Sequence, residues 1–85
     1  MRFLERTIGL RVEPRRGALA IVGVTRGSAA AGKGLAPGDL VLGANGQEVS
    51  EPEALGREVL RGLDRGGLLL VVQRGRYAYH LSFPL

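Results

Sequence analysis

From Ile8 to Val12 apolar and polar residues alternate, with Gly9 breaking the pattern, which predicts a loop running into a half-buried strand. Glu13-Pro14-Arg15-Arg16-Gly17 is turn chemistry. Leu19, Ile21, Val22 and Val24 predict a second strand over Ala18–Thr25. Leu40-Val41-Leu42 reads as a short third strand and Gln47-Glu48-Val49 as a brief return. Ala54, Leu55, Val59, Leu60 and Leu63 then recur at the three–four spacing of a helix with one buried face, ending near Gly62 or Leu63. Gly56 inside that helix costs ~1 kcal/mol relative to Ala. The continuous apolar run from Leu68 toward Gln73 suits a central strand, Arg74-Gly75 turns the chain, and Tyr77 to Phe83 alternates again. Ahead of all this, Met1 to Arg6 is a lead-in whose Phe3 and Leu4 pack on the body as an irregular strand or a helical turn.

The polar punctuation is densest between Gly27 and Gly46. Ser28 is placed to cap a short helix begun by Ala29, Ala30 and Ala31, and Gly34 to end it in a left-handed conformation. Pro37-Gly38 fits a turn, and Asn45-Gly46 is a strong hairpin signal. Ser50-Glu51-Pro52-Glu53 starts the long helix, with Ser50 as the expected N-cap.

Composition narrows the function classes. At 85 residues the chain makes one small domain with a thin core. It has no cysteine, so neither disulfides nor thiolate–zinc sites support it. No stretch is apolar and long enough to span a membrane, and the first residues lack the apolar run of a signal peptide. The net charge of +4 is almost all arginine, scattered and interleaved with acidic residues on the long helix. With only two Tyr and two Phe for stacking, this is a solvated basic surface and not a nucleic-acid stripe. Gly27-Ser28-Ala29-Ala30-Ala31-Gly32-Lys33 matches the start of a nucleotide P-loop. Gly34 stands where Ser or Thr must reach magnesium, and Pro37-Gly38 ends any helix at once. His80, the only histidine, sits in an alternating strand, Ser28 and Ser50 serve as caps, and Asp39 satisfies turn amides. Nothing places these as a catalytic set, and no cluster has metal-ligand spacing, so neither cofactor nor metal is expected.

Gly27-Ser28, Ala30, Gly34-Leu35, Gly38-Asp39-Leu40-Val41-Leu42 and Asn45-Gly46, in that order, resemble the central signature of PDZ domains, those of bacterial HtrA/Deg serine proteases above all. Ala29 stands where Pro is common, and Lys33 where a small residue is. Two strands follow the long helix and almost nothing precedes Thr7, which resembles the circularly permuted bacterial arrangement. The resemblance implies an α+β fold: a partly open, mostly antiparallel barrel or sandwich of five to six strands, capped by one short and one long helix. It covers residues 7–83, leaving 1–6 as lead-in and 84–85 as tail.

Thr7-Ile8-Gly9-Leu10 resembles the carboxylate-binding loop of that family. Gly9 lets successive backbone amides converge on one point, a nest for an anion. Amides of Ile8, Gly9 and Leu10 would hold a peptide's terminal carboxylate, at roughly 1.5–3 kcal/mol per hydrogen bond to a charged group. The implied groove is formed by Leu10, Arg11 and Val12 of the following strand and by Leu55 and Val59 of the long helix, with Ile8 completing the terminal pocket. Groove face and core face adjoin on that helix, so spacing alone leaves both roles open for Leu55 and Val59. Arg6, just before the loop, would assist the carboxylate.

The implied function is a non-catalytic module that recognises apolar C-termini of unfolded or signalling polypeptides by strand addition. It would belong to a larger serine protease whose catalytic domain lies elsewhere, in a periplasmic or otherwise extracytoplasmic and membrane-associated setting. Neither nucleic acid nor membrane contacts this chain in that reading. The alternative is an interaction module whose groove is occluded by a partner domain or a neighbouring copy, for which the apolar tail Phe83-Pro84-Leu85 is one plug.

Overall fold

The computed structural model describes residues 2–85. In chain order the elements are α1 (Arg2–Thr7), β1 (Leu10–Arg15), β2 (Ala18–Val24), α2 (Ala29–Gly32), β3 (Leu40–Ala44), β4 (Gln47–Glu48), α3 (Pro52–Arg65), β5 (Gly67–Arg74) and β6 (Tyr77–Pro84). The six strands form one sheet in the order β1-β2-β3-β5-β6, with β4 paired to β3, and every pairing is antiparallel. The α+β class and the strand sequence are those expected. The lead-in takes the helical of its two expected forms, which makes three helices among the described residues.

Turn chemistry sets the registers. Arg16 and Gly17 both take positive φ in the β1–β2 hairpin, and Asn45 and Gly46 do so between β3 and β4, the backbone twist that two-residue hairpins favour. The first strand runs through Pro14 to Arg15, beyond the turn expected at Glu13–Gly17. A proline fits there because β1 is an edge strand. Ser28 caps α2 as expected, its Oγ accepting from the Ala31 N–H at 3.1 Å, and Gly34 ends that turn with φ +80°.

The long helix departs from expectation in three ways. Its N-cap is Glu51, not Ser50: Pro52 is the first helical residue, and the residue before a proline is pushed into extended backbone (φ −128°, ψ 144°). It continues to Arg65, where Gly66 (φ +84°) closes it. Its buried face is Leu55, Gly56, Glu58, Val59 and Gly62, whereas Leu60 and Leu63 are 56% and 46% exposed. That face packs closely, since a Cβ on Gly62 would lie 2.7 Å from the Gly67 carbonyl oxygen. At about 100° per residue Leu60 and Leu63 fall to the side of it and stay in solvent.

Because α3 packs against β5, β3 and β1 from one side, β5 is not buried on both faces as its apolar run suggested. Leu68, Leu70 and Val72 are buried, whereas Leu69 is exposed and Val71 half-buried. The core between sheet and α3 gathers Ile8, Leu10, Leu19, Ile21, Val41, Leu55, Val59, Leu70 and Phe83, with Leu4 of α1 among them.

Candidate functional site

The site begins with an edge. Among the described residues β1 pairs only with β2 and its other margin carries no strand, and α3 packs alongside β1. The loop Thr7–Gly9 leads into that margin. Two hydrogen bonds hold it. Gly9 accepts through its carbonyl from the Thr25 N–H at 2.8 Å, and Ile8 through its carbonyl from the Ala30 N–H at 2.9 Å. The second bond satisfies one of the amides left free in the first turn of α2, next to the one Ser28 satisfies. Gly9 itself has φ +85°, and a Cβ there would collide with the Cβ and Oγ of Ser28. The Gly27–Gly46 stretch therefore builds the seat on which the loop rests.

The structure brings the loop and groove residues together but does not leave them open. The N–H groups of Ile8 and Gly9 both donate to the Leu4 carbonyl, at 3.1 and 2.8 Å, and the Thr7 hydroxyl donates to the Phe3 carbonyl at 2.7 Å. The expectation of amides converging on empty space is corrected at these two positions: they close the last turn of α1. Ile8, Leu10, Leu55 and Val59 are each fully buried, in one apolar cluster with Leu4. The residues named for the pocket thus lie together, packed closed in the core with Leu4 among them. Val12 is half-buried against the same cluster.

Arg11 points elsewhere. Its guanidinium lies across Gly23 of β2, 2.6 Å from where a Cβ would stand, so its side chain covers the sheet instead of lining the groove. A bulge in the β1–β2 register between Arg11 and Val12 accompanies this. Arg6 is exposed and makes no ion pair among the described residues. The tail is engaged by its own molecule. Phe83 is fully buried, and the Leu85 N–H donates to the Gly66 carbonyl at 3.2 Å, so Phe83-Pro84-Leu85 is not free to enter a neighbour's groove.

Two polar clusters support the scaffold. Asp39, read only as a turn residue, accepts from the Ala36 N–H at 3.0 Å but also takes two bonds from Arg74, Nε to Oδ1 at 2.8 Å and Nη2 to Oδ2 at 2.7 Å. The guanidinium, helped by the Ala36 amide and opposed by burial, holds the Asp39 carboxyl below the ordinary carboxylate range. Asn45, read only as a hairpin residue, donates through Nδ2 to the carbonyl and Oε1 of Glu58 and accepts the Leu69 N–H through Oδ1. Glu58 is buried within α3 and also accepts from Arg61 at 2.7 Å. An acidic residue on the buried face, three before an arginine, was the available signal for this cluster. Two surface depressions, one over Leu42, Gly43 and Val71 and one beside Leu35, Arg74 and Tyr79, lie away from the β1–α3 groove.

Comparison with known proteins gives a consistent family. A family model described as PDZ domain matches residues 7–78. The chain is 39% identical over 66 residues to a probable periplasmic serine endoprotease, DegP-like, from Chlamydia pneumoniae; the match covers 78% of this chain and 13% of that protein. Among solved structures, the HtrA3 PDZ domain bound to a phage-derived ligand (FGRWV) superposes with a TM-score of 0.80 at 23% identity, covering 91% of this chain and 81% of that one. The HtrA-type protease AlgW with a decapeptide gives 0.77 at 25% identity, covering 91% and 27%. The PDZ domain of EpsC from Vibrio cholerae gives 0.70 at 13% identity, covering 93% and 97%.

Proposed function

This chain belongs to the PDZ domain family, and from that membership we propose that it binds the free, apolar C-termini of polypeptides between β1 and α3. The observation that carries the reading is the unpaired margin of β1, which follows directly on the Ile8–Gly9 turn and runs beside α3. A guest chain adds to that margin as a further antiparallel strand, its main chain bonding to β1. Its last side chain enters the pocket of Ile8, Leu10, Leu55 and Val59, whose apolar lining selects an aliphatic or aromatic terminus. Its carboxylate takes the amide of Leu10 and, once they leave the Leu4 carbonyl, those of Ile8 and Gly9, and Arg6 adds a positive charge nearby. The ligands held by the HtrA3 domain (FGRWV) and by AlgW (a decapeptide) support this reading.

The chain spans 13% of the length of the DegP-like relative. The module then serves as the substrate-recognition or regulatory part of a larger serine protease, and the catalytic groups lie in another domain. The periplasmic description of that relative supports an extracytoplasmic setting.

The test is a fluorescence-polarisation titration with a labelled FGRWV pentapeptide, as the free acid and as the C-terminal amide. Micromolar affinity corresponds to about −8 kcal/mol, a reasonable yield for a short strand and one pocket. Binding of the acid and loss of binding by the amide are the expected results. Equal binding of both refutes carboxylate capture.

A further inference from the structure

The pocket proposed for a guest's last residue is occupied by the chain itself. Leu4 supplies both parts of a guest terminus: its carbonyl oxygen takes the Ile8 and Gly9 amides, and its side chain is fully buried in the cluster of Ile8, Leu10, Leu55 and Val59. Around it, α1 packs against β1 and α3, the two walls of the groove, with Phe3 partly buried on the same cluster. We infer that α1 is an intramolecular plug for the carboxylate end of the groove, and that a peptide binds only when α1 leaves. This rests on the peptide-binding reading above and states how that site is regulated.

The plug is built to be displaced. A helix of six residues is not stable on its own, because nucleation is costly and so few bonds follow it. Its hold is therefore the burial of Leu4, the partial burial of Phe3 and the closing bonds at Thr7, Ile8 and Gly9. A carboxylate competes well for those amides, since charge-assisted hydrogen bonds are roughly twice as strong as neutral ones. The remaining margin of β1 toward Glu13 pairs with no other strand, so a guest can pair there first and reach the loop as α1 lifts. Apparent affinity is then the intrinsic affinity reduced by the fraction of molecules with α1 out.

The experiment is the same titration, with free-acid FGRWV, on the full chain and on two variants that loosen α1 without touching the pocket walls. Leu4→Ala removes the buried side chain; Phe3→Ala removes a partly exposed one and guards against a misfolded Leu4→Ala protein. The plug predicts binding about tenfold tighter or more for Leu4→Ala, and a smaller gain for Phe3→Ala. It also predicts that saturating the wild type with peptide removes the helical carbon shifts of α1, while the Ile8 and Gly9 amides stay protected because the peptide carboxylate replaces the Leu4 carbonyl. Binding within twofold of wild type for every folded variant, with α1 shifts unchanged on saturation, overturns the plug and leaves peptide binding standing. Absence of binding by all three proteins overturns the peptide-binding reading, and the plug falls with it.

Discussion

Gly9→Ala tests how the loop is seated. The substitution adds one methyl group at φ +85°, where an L-residue costs about 1–2 kcal/mol. The new Cβ also overlaps the Cβ and Oγ of Ser28, which cannot retreat without giving up the Ala31 amide that it caps. Overpacking of this kind costs about 1–3 kcal/mol, and a lost cap about 1 kcal/mol. Together these amount to about 3–6 kcal/mol. At about 0.05–0.15 kcal/mol per residue, the whole domain is stable by only about 4–13 kcal/mol. The expected drop in melting temperature is roughly 15–30 °C, read by circular dichroism with urea melts for the free energy. The decisive arm is a double-mutant cycle with Ser28→Gly, which removes the obstructing atoms and costs a few tenths of a kcal/mol by itself at an N-cap. Gly9→Ala in that background recovers about 2 kcal/mol and keeps only the backbone penalty. A Gly9→Ala protein within about 1 kcal/mol of wild type, or no recovery from Ser28→Gly, refutes the seating argument.

Three further outcomes follow from the packing and the polar clusters. Gly62→Ala destabilises by about 1 kcal/mol or more in urea melts despite its better helix propensity, because the methyl group meets the Gly67 carbonyl oxygen and Leu85; Gly32→Ala, with nothing within 4 Å, stabilises by about 0.4–1 kcal/mol. Asn45→Asp keeps the turn preference but loses both donations to Glu58 and sets two carboxylates together, costing about 2 kcal/mol or more, and Glu58→Gln in the same chain restores part of it. Asp39 has a lowered folded-state pKa, so its ion pair stabilises the fold fully above the ordinary carboxylate range and loses that contribution as pH falls through the lowered value. Wild type is therefore more stable than Asp39→Asn at neutral pH, and the gap closes in acid; a gap that persists in strong acid contradicts the assignment.

Local chemistry in the chain was enough to place most elements. Asn45-Gly46 takes positive φ because those two residue types tolerate it, Ser28 caps because its hydroxyl reaches an amide three residues on, and the segment from Tyr77 to Phe83 is the strand that its alternation suggested, paired with β5. The same local signals, in their order, carried the family. Pro52 shows the limit even of local reading, since its demand on the preceding backbone moved the cap from Ser50 to Glu51.

What folding alone decided concerns how close two elements come and which groups meet across distance. Periodicity ranked Leu60 and Leu63 as core because it sees only one helix; the sheet meets only the face of Leu55, Val59 and Gly62, which leaves both leucines in solvent. Arg74 finds Asp39 thirty-five residues away, and Asn45 finds Glu58, pairings that no spacing rule encodes. The state of the groove belongs here too. The pattern Thr7-Ile8-Gly9-Leu10 marks amides able to converge; those of Ile8 and Gly9 close the preceding helix locally on the Leu4 carbonyl, and the packing of α1 on β1 and α3 is what sets Leu4 in the core.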